Sequence, residues 1–163
     1  MLFRSVSQSR YMAEQATAID GLVVKYDFIS ADEEAAVIEA IQKGQPKGNF
    51  RDQNIPDYLL LLAKKLVEEK HLSAIPSGIS VDVYEKGECI LPRIENRGSG
   101  TTITILSLSG GVDFELTNGD EKFVIPMPPR TLIQMFGDIR WNWRYAMPPV
   151  SSRTYLIMFR RSS

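Results

Sequence analysis

The chain has 163 residues, 44% of them hydrophobic, and a formal net charge of −1. This suits one globular domain that can enclose a core without disulfides or a structural metal. Cys89 is the only cysteine and His71 the only histidine, so an internal disulfide, a cysteine-based zinc site and any site needing two imidazoles from one chain are excluded by count.

The small net charge hides an asymmetry. Residues 11–40 carry seven acids against Lys25 alone, whereas residues 128–163 carry Arg130, Arg140, Arg144, Arg153, Arg160 and Arg161 against Asp138 alone. Such a split suits a protein held between partners or touching RNA with one face; mutual neutralisation across the fold is the plainer reading. No apolar run approaches the length of a membrane-spanning helix.

The opening MLFRSVSQSRYM holds two arginines, three serines and no acid, the composition of an organellar targeting peptide. Residues 1–18 are therefore read as an N-terminal arm or mitochondrial targeting segment, and 19–163 as one domain; without such a signal the expected compartment is the cytoplasm. Gly21–Ile29 alternates apolar and polar residues and predicts a first strand. Ser30 and Glu33 form a capping box for a helix with Ala36, Val37, Ala40 and Ile41 on its apolar stripe, ending at Gly44. Residues 44–54 read as loop. A second helix follows Pro56, with Leu59, Leu60, Ala63, Leu66 and Val67 as its buried face. Beyond Ile79, short β runs follow one another, separated by Gly, Pro or Asn-Gly: SVDVY, CILPRIE, TTITILSLS, VDFEL, KFVIPM, TLIQMF, IRWNWRY and TYLIMF. Asn118-Gly119 predicts a type I′ hairpin. Two helices before about eight strands read as α+β, a jelly-roll-like double sheet with two N-terminal supporting helices.

Four stretches in order, VDVYEKGECILPRIEN, ITILSLSGGVDFEL, PRTLIQMFGDIRWNWRYAMPP and SSRTYLIMFRR, resemble the AlkB branch of the Fe(II)/2-oxoglutarate dioxygenases, whose fold is a double-stranded β-helix. The resemblance runs from Gly21 to Arg160. It implies a His-x-Asp motif and a distal histidine, which together hold Fe(II) on one face and leave the other for 2-oxoglutarate and O₂. In this sequence the matching positions read Arg93, Glu95 and Tyr145. A guanidinium has no lone pair to give a metal, so no metal and no cofactor are expected. Tyr84 keeps the tyrosine that would bond 2-oxoglutarate, but its asparagine partner reads Asp82. Arg160 matches the second arginine of the last strand, and the first falls on Thr154, with Arg153 one residue away and on the other face. Tyr84 and Arg160 are thus expected as a vestigial co-substrate pocket. Arg93 and Glu95, two apart on a strand, are expected to pair, with Tyr145 packed over them.

Trp141, Trp143 and Tyr145 are expected on one strand face, as a row of core aromatics or as a stacking platform for an RNA base. Arg140 and Arg144 would then lie on the opposite face. His71, at the end of the second helix, is expected to cap it or lie at the surface. These features imply a non-catalytic AlkB-like protein acting as a structural or interaction subunit of a larger, mitochondrial assembly (a ribonucleoprotein, ribosome or respiratory complex), with protein subunits as partners and no DNA expected. The alternatives are an RNA-binding module using the ancestral nucleic-acid cleft, and an oxygenase with unusual ligation.

Overall fold

The computed structural model describes residues 19–44 and 48–160; the N-terminal arm, residues 1–18, and Arg161 lie outside them. Strand β1 (Leu22–Lys25) leads to helix α1 (Ala31–Lys43), then β2 (Gly48–Arg51), α2 (Asp57–Glu68), β3 (Gly78–Tyr84) and β4 (Ile90–Arg93). β5 (Ile103–Leu108), β6 (Val112–Asn118), β7 (Glu121–Met127), β8 (Thr131–Met135), α3 (Gly137–Asn142), β9 (Arg144–Met147) and β10 (Thr154–Arg160) complete the order.

Both long helices start where their chemistry requires. The Glu33 amide donates to Ser30 Oγ at 3.1 Å, and the Glu33 carboxylate accepts from the Ser30 amide at 3.0 Å, so two otherwise orphaned donors are satisfied reciprocally. Pro56 caps α2 from the extended region, just before its first turn. The stripes are shifted slightly from expectation: Val37 and Ile41 are buried on α1 while Ala36 is exposed, and Leu62 replaces Leu60 and Val67 among the buried residues of α2.

The strands form a six-stranded sheet, β1-β8-β5-β10-β3-β2, and a four-stranded sheet, β4-β9-β6-β7. Every pairing is antiparallel. Two apolar layers result. Val37, Leu59, Leu66, Leu106, Ile157 and Phe159 seal the helices onto one face of the large sheet, while Ile105, Phe114, Leu116, Ile133, Tyr145 and Met158 fill the space between the sheets. β10 lies in both layers, which is why TYLIMF is an unbroken apolar run. Gly21 holds φ at +93°, and a Cβ there would collide with the Phe136 carbonyl oxygen, so β1 can dock beside the end of β8 only with glycine at this position.

Three sequence expectations are corrected. Residues 48–51 pair with β3 as an edge strand rather than remaining loop. In the hairpin after β6, Asn118 pairs with Glu121, leaving Gly119 and Asp120 as the central residues. Of these only Gly119 has positive φ, a II′-like pattern rather than the type I′ expected. Finally, residues 139–145 are not one strand: Gly137 turns the chain at φ +56°, and α3 runs to Asn142 before β9 begins. The Asp138 carboxylate accepts from Asn142 Nδ2 at 2.6 Å and Trp143 Nε1 at 3.1 Å. These bonds close the short helix on itself where continued β pairing would have left them unmade.

Candidate functional site

Arg93 ends β4, opposite Tyr145 of β9, and Glu95 follows where the chain leaves the small sheet. The three residues meet. Arg93 Nη2 lies 2.9 Å from Glu95 Oε2, and the Tyr145 hydroxyl donates to the same oxygen at 2.6 Å. Arg160, at the end of β10, donates from Nη2 to Glu95 Oε1 at 3.3 Å and from Nη1 to Ser80 Oγ at 2.7 Å. The Glu95 side chain is 3% exposed, Arg160 28% and Arg93 55%. A single buried carboxylate is therefore held by two cations and a phenol, with both of its oxygens engaged. Burial of a charge without such partners would cost several kcal/mol, about 3–5 by analogy with broken buried pairs.

Arg140 holds this arrangement in place. It is buried, and its guanidinium donates from Nε to the Gly100 carbonyl at 2.9 Å, from Nη1 to the Glu95 carbonyl at 2.8 Å and from Nη2 to the Asn96 carbonyl at 2.6 Å. These bonds draw the 94–100 loop against α3 and turn Glu95 inward. Sequence reasoning placed Arg140 on an outer strand face; once α3 replaces that strand, the residue points into the loop. Trp143 is also buried, stacked on Phe123 at 5.2 Å, and Tyr145 is stacked on Phe114 at 5.6 Å. Trp141 sits on α3, partly exposed, with the Arg140 guanidinium 4.1 Å from its ring centre. Arg144 is exposed on β9. Of the four candidate RNA contacts, Arg140 and Trp143 are thus enclosed, and Trp141 and Arg144 are exposed.

Of the remaining sequence candidates, Tyr84 lies within electrostatic reach of Arg93 and Glu95, and the others have different partners. Tyr84 packs at the edge of the layer between the sheets. Thr154 shares the β10 face of Leu156, Met158 and Arg160, but it is buried and donates to the Ser152 carbonyl at 3.1 Å. Arg153 is exposed and bonds Glu85 at 2.9 Å, so it does not stand in for Thr154. His71 is neither a surface residue nor near Glu95. Its amide closes the end of α2 on the Leu66 carbonyl at 2.8 Å, while its ring packs edge-on against Phe28. Burial, then the nearby Lys25, lowers its pKa from the ordinary histidine value.

A polar cleft of about 500 Å³ opens above Glu95, lined by Asn49, Arg51, Arg93, Asn96, Ser99 and Arg160 among others; its lining includes neither Tyr84 nor Thr154. Sequence reasoning missed Asn49 and Arg51 because it left residues 44–54 as loop, and a four-residue strand containing a glycine gives too little periodicity to be recovered.

Tyr84 is pushed up to about 12, first by burial and then by the Asp82 carboxylate. Tyr145 is pushed up further, by burial first and then by its hydrogen bond to Glu95. A tyrosine whose folded pKa exceeds its unfolded value, about 10, adds stability that is complete below pH 10 and lost as pH rises through the folded value. Stability is therefore expected to fall between about pH 10 and 12. Urea titrations across that range, read beside tyrosinate absorbance, check this; stability constant through the ionisation of all tyrosines would contradict it.

No family model matches the chain. Among curated proteins it is 24% identical over 165 residues to the mimivirus protein L905, covering 86% of this chain and 79% of that one. It is 26% identical over 162 residues to the Xenopus tropicalis tRNA (carboxymethyluridine(34)-5-O)-methyltransferase alkbh8. That match covers 79% of this chain but only 25% of the frog protein, so the chain spans about a quarter of that relative. Among solved structures, OsALKBH1 superposes with a TM-score of 0.66 at 12% identity, covering 86% of this chain and 96% of that one. A Pseudomonas putida prolyl-4-hydroxylase superposes with a TM-score of 0.65 at 12% identity, covering 93% of each chain. The fold is that of the 2-oxoglutarate/Fe(II) oxygenases. Its two sheets are the double-stranded β-helix, and α1 and α2 are the expected supporting helices.

At the three positions that the sequence resemblance matches to metal ligands, the side chains do not suit Fe(II). Arg93 offers no lone pair and brings a fixed positive charge. Both Glu95 oxygens accept from protein donors, and the Tyr145 proton points at Glu95. Among the described residues, no group of three or more His, Cys, Asp or Glu is placed to hold a metal ion.

Proposed function

We propose that this chain is a non-catalytic oxygenase-fold module, in which protein cations replace the metal and the surface, not the interior, carries the function as an interaction subunit of a larger assembly. The supporting observation is the Glu95 cluster: a carboxylate 3% exposed, bonded by Arg93, Arg160 and Tyr145. Binding Fe(II) there would require breaking those bonds and placing a dication beside two guanidiniums. Support for the interaction role comes from β4, an edge strand of the small sheet. It carries Leu91 at 76% exposure, and Ile94 lies partly exposed just beyond it. An edge strand with exposed apolar side chains is a template for pairing with another chain.

Anaerobic incubation with Fe(II), followed by desalting and metal analysis, is expected to leave no stoichiometric iron, and incubation with 2-oxoglutarate and ascorbate is expected to yield no succinate. Stoichiometric iron with succinate formation would overturn the reading. A second reading, an RNA-binding module, draws on the likeness to a tRNA-modifying protein and on the exposed Arg51, Arg97 and Arg144. It requires RNA binding that weakens steeply with salt.

A further inference from the structure

The Glu95 cluster faces a cleft whose cations exceed what the protein itself neutralises. Arg51, Arg93 and Arg160 line it against Asp52 and Glu95. Arg160 is engaged by Glu95, Ser80 and Asn49. Arg93 is more than half exposed, and among the described residues its ion-pair partner is Glu95. Arg51 lies on the exposed face of β2, two residues from Asn49, whose Oδ1 accepts from Arg160 at 3.4 Å. Among the described residues its guanidinium has no ionic or hydrogen-bonding partner.

We propose that this cleft is a binding site for a phosphate monoester, gripped by Arg93 from β4 and Arg51 from β2. Arg93 is free to turn to a ligand because Glu95 does not depend on it: when Arg93 leaves, Oε2 still accepts from Tyr145 and Oε1 from Arg160. The two guanidiniums belong to strands of different sheets, and both line the cleft. A tetrahedral dianion with three equivalent oxygens accepts from two such forks at once, whereas one planar carboxylate serves one fork well. A volume of about 500 Å³ suits a small molecule. The ligand class is thus a compact phosphomonoester, free or carried on a nucleoside.

The site rests on the preceding reading that Glu95 is paired within the protein, and the two fail separately. Iron uptake with succinate formation defeats that reading, whereas failure of the titration below defeats only this one. Calorimetric titration of the full chain at low salt would use inorganic phosphate, uridine 5′-monophosphate, 2-oxoglutarate and a short oligouridylate without terminal phosphates. Saturable binding of phosphate or the nucleotide is expected, with the stronger of the two identifying the source. Arg51→Gln, at an exposed and unpaired side chain that should leave folding intact, is expected to weaken binding roughly tenfold, and Arg93→Gln by at least as much. No saturable binding of either monoester, equal affinity in Arg51→Gln, or tighter binding of 2-oxoglutarate or of the oligonucleotide would each overturn the proposal.

Discussion

Glu95→Ala is expected to destabilise the folded protein by about 3 kcal/mol, while Arg93→Met costs less than about 1 kcal/mol. The asymmetry follows from burial. Glu95 is 3% exposed and is the common partner of two guanidiniums and the Tyr145 phenol. Its loss leaves Arg160, 28% exposed, with an incompletely hydrated charge, and leaves Tyr145 with a buried unpaired hydroxyl. Arg93, at 55% exposure, is partly hydrated already, and its removal leaves Glu95 with two donors. Urea denaturation at neutral pH measures both, and a double-mutant cycle should give a smaller coupling for Arg93 with Glu95 than for Arg160 with Glu95. Equal costs for Glu95→Ala and Arg93→Met would show that Arg93 is the anchor of the cluster, and the freedom to turn toward a ligand would be lost with that result.

The sequence revealed most where local chemistry decides structure without help from distant residues. The Ser30–Glu33 box, the stop at Gly44 and the β runs beyond Ile79 other than residues 139–145 formed as read. The pairing of Arg93 with Glu95 was legible from their spacing of two residues, which puts both on one side of an extended strand. The widest misreading has a local cause. Residues 139–145 alternate well enough to read as β, but Gly137 at positive φ and the Asp138 carboxylate bonds to Asn142 and Trp143 favour a helical turn. That error misplaced Arg140, Trp141 and Trp143 together, because a strand and a helix assign the same residues to different faces. Arg51 and Asn49 were invisible for another reason: β2 exists only because β3 offers it an edge, and that is a tertiary fact.

Arg140→Met is expected to cost about 3–5 kcal/mol, the largest single effect of those predicted. The side chain is buried with a guanidinium that serves three carbonyls, those of Glu95, Asn96 and Gly100. Methionine preserves much of the stem volume but removes every donor, leaving carbonyl groups of one loop unpaired, and each buried unsatisfied group costs about 1–3 kcal/mol. Arg140→Lys separates charge from geometry. It keeps the cation, yet one ammonium on a flexible stem cannot reproduce three diverging donors of a planar fork, so it should recover less than half of the loss. The local consequence is distinguishable from general destabilisation. Amide exchange across residues 95–100 should quicken more than exchange in β10, because Arg140 ties that loop to α3 while β10 is held by strands on both sides. Trp141 supplies a second readout, since the Arg140 guanidinium lies 4.1 Å from its ring centre and its fluorescence should change with the substitution. A cost below about 1 kcal/mol for Arg140→Met, with unchanged exchange at residues 95–100, would mean that the loop holds Glu95 in place on its own.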